Sequence, residues 1–423
     1  MPKRFHDRYF PVRPNLDQLR HQAKDLLRAI RKNDAAAVAE LRKHNPKAVE
    51  PTEAKLADAQ FALARSYGLP SWPRLVAACR TTDAIWRGDT KALKELILKN
   101  PHLLQEAARG LPDSNWGPPM SYAANIGRDE IIQMLREMGA QDLQLAFDRA
   151  CLQGQIGTAR GLHAMGARPE PGCMMGPCET LNDAGLALLL ELGAEFADEK
   201  GDRVAPVALL LQTYSRHPEG KHRCLEIVAA HGIELPDTPT MALHRGRIDL
   251  LEDHLRRDPR MVERTFSIDE IYPRVLGCGP DYSYALHGTP LAGTTLLHIC
   301  VEFDEIEIAR WLIEHGSDVN AKAEVDAGGF GGHTALFGCV VNDSYLCGRQ
   351  RDAAFARLLL DHGADPNARA SLRKQLHFVP DETMHEYLDI TPLSWGKRFH
   401  GQRYHDWVSK PAMELIAERG GRE

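Results

Sequence analysis

The stretch TTLLHICVEFDEIEIARWLIEHGSDVNAKA, Thr294 to Ala323, decides how the chain is read. Thr295 suits a helix N-terminus, and Ile299, Ile306, Ile308, Trp311 and Leu312 have the spacing of two short amphipathic helices. Asp304 marks the turn between them. Gly316, twelve residues later, stands where the second helix must stop in left-handed backbone, a conformation glycine enters without Cβ strain. The same twelve-residue interval runs from Gly127 to Gly139 and from Gly154 to Gly166. With Asn or Asp at the stop it runs from Gly88 to Asn100, Gly246 to Asp258 and Asn33 to Asn45. In those three a proline follows (Pro101, Pro259, Pro46), and the stop residue is expected to turn left-handed, as Asn and Asp tolerate best after glycine.

A recurring interval of this kind marks an array of helix-turn-helix units, and length permits one: 423 residues are too many for one small core. Hydrophobic content of 43% and charged content of 26% are ordinary for a folded, water-exposed chain. The net charge of −6 argues against nucleic acid as a main partner, since a phosphate-binding surface carries a basic excess. No apolar run reaches a membrane span, and MPKRFHDRYFPVRPN lacks the apolar core of a signal peptide. Nine scattered cysteines, an odd number, predict reduced, buried thiols and a cytoplasmic setting rather than a disulfide framework.

The units resemble the ankyrin repeat, about 33 residues with T-P-L-H-x-A at the first helix. The matching stretches are TLLHIC at 295–300, TALFGC at 334–339, TPLSWG at 391–396 and PPMSYA at 118–123, with second-helix ends LIEHGSDVNA, LLLDHGADPNA and LREMGA. Degenerate units are expected over 172–194 and 205–233. Two units are longer: Asp343 to Gly363 and His400 to Gly420 each span twenty residues, so a longer loop is expected between their helices. The segment before residue 80 reads as helices ended by Gly68 and Pro70. It resembles the helical segment that precedes ankyrin repeats in many bacterial proteins. Leu63 and Trp72 are expected to cover the exposed face of the first repeat, because an array needs capped ends. The resemblance implies an all-α ankyrin-repeat solenoid of helix-turn-helix units with projecting hairpin loops. It divides into a helical capping segment (1–80), degenerate repeats (81–263) and C-terminal repeats with extended fingers (264–423).

Such a fold needs no central active site, so function has to be sought in the fingers. Three successive ones are long: 264–294, 321–333 and 369–390. They carry Tyr282, Tyr284, His287, Asp326, Phe330, His333, His377, Asp381, His385, Glu386 and Tyr387, with Trp395, Arg398 and His400 close behind. Long loops in compact arrays are often functional, and aromatic rings with His and carboxylates suit recognition. Phe330, inside GGFGG, is expected to pack on the neighbouring finger near Tyr284, Tyr387 or Trp395, leaving His333 to face a ligand. Two functions follow. One is a scaffold that binds a protein or peptide without chemistry. The other is an enzyme or small-molecule receptor with a His, carboxylate and aromatic pocket beneath the fingers, where His333, His385 and His400 would converge.

Other motifs carry less. HGTPLAGTT (287–295) has phosphate-loop glycines, but Thr294 stands where the lysine belongs. CMMGPC places Cys173 and Cys178 at metal-like spacing without a second pair. His298 in TLLH matches the family's structural histidine, which the resemblance implies bonds across repeats. No catalytic residue, metal ligand or cofactor is assigned, and a membrane partner is not expected.

Overall fold

The computed structural model describes residues 7–47, 49–279, 288–341, 351–375, 383–399 and 408–423. Its contacts divide the chain into two compact units, Met1–Pro169 and Glu170–Glu423. Both are built mainly from short helices.

In the first unit the helices run Leu16–Arg31, Ala35–His44, Leu56–Ser66, Trp72–Arg87, Thr90–Lys99, Pro119–Ala124, Asp129–Glu137, Leu143–Leu152 and Ile156–Ala164. Asn15 starts the first by accepting from the Asp17 and Gln18 amides, which otherwise lack intrahelical partners. Leu19, Ala23, Leu26 and Ile30 of that helix meet Ala59, Leu63, Leu75 and Ala78 in one core, so the N-terminal helices share burial with the helix Trp72–Arg87. Leu63 is fully buried there, and Trp72 packs half-buried on the same cluster.

The second unit continues with Met175–Thr180, Asp183–Glu191, Ala205–Gln212, Pro218–Ala230, Pro239–His244, Ile248–Arg257 and Ile268–Ile271. Leu296–Phe303, Ile306–Glu314, Ala335–Cys339, Ala354–Asp361, Pro392–Phe399 and Lys410–Glu418 complete it. The repeat interval is visible in the backbone: Gly127, Gly139, Gly154, Gly166, Asp304 and Gly316 all have positive φ. Residues 172–194 and 205–233 each hold a pair of helices. One keeps the interval through Leu181, left-handed at φ 56°, and Gly193. The pattern of glycines did not reveal it because leucine rarely adopts that conformation.

One expectation fails. Asn100, Asp258 and Asn45 end their helices at φ −140°, −139° and −105°, extended rather than left-handed. The cause is the following proline, whose Cδ excludes compact conformations at the residue before it. After Asn100 and Asp258 the chain makes a 3₁₀ turn, Pro101–Leu104 and Pro259–Val262, and Asp258 caps the second by accepting from the Arg260 amide.

The described strands are all in the fingers. β1 (Thr265–Phe266) pairs antiparallel with β2 (Thr294–Thr295), and β3 (Ala370–Gln375) with β4 (Met384–Ile390). The inserted loops lie between Ala335–Cys339 and Ala354–Asp361 and between Pro392–Phe399 and Lys410–Glu418, where Asp343 and His400 are outside the described residues. Arg351, nearly buried, donates to the Gly338 and Val301 carbonyls at 2.8 and 2.6 Å.

Candidate functional site: the finger layer

Glycine builds the middle finger. The chain turns back between Val325 and Gly331, and the Asp326 carboxylate accepts from the Gly328 and Phe330 amides at 2.8 and 3.0 Å. Those bonds hold Asp326 below the ordinary carboxylate range. A Cβ at Gly331 would sit 2.0 Å from the Glu324 carbonyl, at φ 128°, so only glycine fits.

This finger is joined to both neighbours by backbone. The Glu324 amide donates to the Gly293 carbonyl at 2.8 Å on one side, and the Gly331 amide to the Ser371 carbonyl at 2.7 Å on the other. The Thr265 hydroxyl also donates to the Glu324 carboxylate. The three long loops therefore form one continuous layer where they are described.

Phe330 packs on the neighbouring finger as expected, but its partner is Arg373. The guanidinium lies over the ring at 4.4 Å from its centroid and also pairs with Asp326. Sequence reading passed over Arg373 because one basic residue among Arg369, Arg373 and Lys374 in RASLRKQ carries no local signal; only the fold sets it beside Phe330.

His333 is corrected. It is 2% exposed rather than facing a ligand, with Nε2 2.9 Å from the Pro290 carbonyl and its ring edge-on to His298. Burial, and then the neighbouring His298, push it down to about 3, so it is neutral in the folded chain. His298 plays the structural part implied for it: its ring meets the Thr295 hydroxyl at 2.9 Å and the His333 carbonyl at 3.0 Å. Burial lowers it to about 4.

Trp395 is also corrected. It is fully buried, donates to the Thr289 hydroxyl at 3.3 Å, and packs edge-on to Tyr387 at 5.0 Å. Tyr387 is 7% exposed, and burial raises its phenol. Exposed Arg398 lies over the Tyr387 ring. Alternation along β4 sends Tyr387 inward and Met384, Glu386 and Leu388 outward, with Glu386 opposite Arg373 and half-buried His385 opposite Lys374. Tyr282, Tyr284, His287, His377, Asp381 and His400 lie outside the described residues.

Beneath the layer lies a small cavity of about 10 Å³, lined by Thr289, Pro290, Leu291, His298, Glu302 and His333 among others. That is room for one water at most. Among the described residues no group of three or more His, Cys, Asp or Glu is placed to hold a metal. No helix of the described residues is long and apolar enough to cross a membrane.

Residues 270–370 match the family model of ankyrin repeats, in three copies. Among solved structures, the human ASB11 ankyrin repeat domain is similar at 17% identity, over 72% of this chain and 99% of that one, with a TM-score of 0.25. No curated protein matches.

Proposed function

Because this chain is an ankyrin-repeat protein, we propose that it is a non-catalytic scaffold that binds a protein or peptide across its three C-terminal fingers and the concave face beside them. The observation that carries this is the backbone bonding of the middle finger to both neighbours, which holds the layer in shape before any partner arrives. A preformed surface loses less ordering entropy on binding than loose loops would. Outward-facing Arg373, Glu386, Leu388, Met384 and Val325 offer mixed charged and apolar contact, and the last three are 63%, 46% and 61% exposed in that order. The buried His333, Tyr387 and Trp395 support this surface from below.

Among the described residues, the cavity of about 10 Å³ beneath the fingers is too small for the ligand of the alternative reading, an enzyme or small-molecule receptor. Residues 1–80 serve as the helical cap, 81–263 as degenerate repeats and 264–423 as the finger-bearing repeats. The thiols suit a reducing compartment such as the cytoplasm.

The test compares proteins co-purifying with the wild-type chain and with a Val325→Ser, Met384→Ser, Leu388→Ser triple variant. The expected result is at least ten-fold depletion of a specific partner with an unchanged thermal midpoint. Equal recovery of every partner rejects the finger surface.

A further inference from the structure

The first unit contains a second recognition arrangement, already filled. Asp7 to Pro14, ahead of the helix that Asn15 caps, forms no helix or strand. Within this arm Phe10 is 2% exposed, set into the core and edge-on to Tyr67 at 5.6 Å. Its backbone is read mainly by side chains. The Tyr122 hydroxyl donates to the Val12 carbonyl at 2.7 Å and itself accepts from Trp86 Nε1 at 2.7 Å. The Arg109 guanidinium donates to the Phe10 carbonyl. Arg13 lies over the Trp86 ring, 5.4 Å from its centroid, and pairs with Asp83; Arg8 pairs bidentately with Glu40. The described arm makes one backbone–backbone bond, from the Arg8 amide to the Ser66 carbonyl.

A buried aromatic anchor, side-chain donors aimed at carbonyls and charged pairs at the flanks make up the usual chemistry of peptide capture. The arm is tethered at its C-terminal end through Asn15. Its departure would leave the Tyr122 hydroxyl and the Arg109 guanidinium without the acceptors they now have, and another extended segment would supply them again. We propose that the groove bounded by Tyr67, Trp86, Arg109 and Tyr122 is a binding site for extended protein segments of the pattern aromatic–proline–aliphatic–arginine, and that Phe10-Pro11-Val12-Arg13 is its ligand held in cis. This site is independent of the finger layer, since every residue in it lies within Met1–Pro169.

A tethered ligand is present at an effective concentration on the order of millimolar, so a free peptide competes poorly until the arm is weakened. The probe is a fluorescein-labelled peptide of residues 7–14 (DRYFPVRP), followed by anisotropy on the full chain. Replacing Arg8 and Arg13 with alanine loosens the arm without opening the core. This double variant is expected to bind the peptide at least ten-fold more tightly than the wild type. A peptide with alanine at the Phe10 position is expected not to bind. In a second variant a site-specific protease site follows Pro14. Cutting the folded protein is expected to let the arm exchange with labelled peptide while the far-UV circular dichroism is retained. No binding by the folded double variant at millimolar peptide overturns the proposal, and so does unfolding or absence of exchange after cleavage. Each of those results would make the arm an integral part of the core.

Discussion

Trp395 tests whether a side chain belongs to the surface or to its support. It is fully buried, so Trp395→Ala removes a large core ring and is expected to cost about 3–5 kcal/mol. Thermal unfolding checks this: a midpoint within a degree of wild type would return Trp395 to the candidate binding surface. Lys221 makes a sharper case. It is 2% exposed, its ammonium lies over the Phe303 ring at 3.7 Å from the centroid, and among the described residues its Nζ has no hydrogen-bond partner. Glu305, Glu302, Arg216 and Cys300 act on it electrostatically, but burial dominates and pushes it down to about 7. The unfolded chain therefore holds a proton above pH 7 that the folded chain has released. Stability should rise with pH from about 7 by up to about 1.4 kcal/mol per unit. Above about pH 8 the trend reverses, because burial holds the Cys79, Cys224, Cys278 and Cys339 thiols up to about 12 while the several unfolded thiols begin to ionise. Urea midpoints at pH 7.0 and 8.0 are expected to increase for wild type and to fall slightly for Lys221→Met, which keeps only the thiol contribution. A level wild-type profile would mean that Lys221 keeps its charge inside the fold. His298 acts in the acid range: with its folded value at about 4 against an ordinary 6.5, the folded state loses roughly 3 kcal/mol as pH falls from 6.5 to 4.

For helices and fingers, the two kinds of glycine separate. Gly316 ends its helix at φ 96° with open space where a Cβ would go, so Gly316→Ala pays only for backbone conformation, about 1 kcal/mol. Gly331→Ala adds a clash with the Glu324 carbonyl and must open the Val325–Gly331 turn. Scanning fluorimetry should show a small midpoint loss for the first. For the second, limited proteolysis should show new cleavage between residues 324 and 332. Equal protection of the two variants would refute rigid joining of the fingers. The prolines at 46, 101 and 259 teach a related lesson. A stop position was legible from its spacing, but its conformation was set by the next residue, and Asn100 and Asp258 became extended lead-ins to 3₁₀ turns.

At the scale of the whole molecule, the thiols report on the array. Eight described cysteines are free, seven of them buried, and Cys173 is half-buried. Denatured, unreduced protein should titrate nine thiols, and of the eight described thiols Cys173 should react fastest in native protein. A count of seven would reveal a disulfide, and rapid native reaction of most thiols would mean that the repeats open.

The sequence by itself determined the repeat. A twelve-residue interval between turn and stop is a local property, because each short helix must end where left-handed backbone or a proline ends it. TLLH likewise specified the role of His298, whose partners Thr295 and His333 sit at fixed places in one repeat and the next. The existence and neighbourhood of the long fingers were legible too, from loop lengths in an array whose order follows the chain. Only the tertiary structure decided which finger residues point outward. His333 and Trp395 read as recognition groups, yet both are buried, His333 against Pro290 and His298 and Trp395 against Thr289 and Tyr387, and burial depends on neighbours that sequence separation does not reveal. Arg373 over Phe330 and Tyr122 on the Val12 carbonyl join residues 43 and 110 positions apart, and no periodic pattern records such a contact.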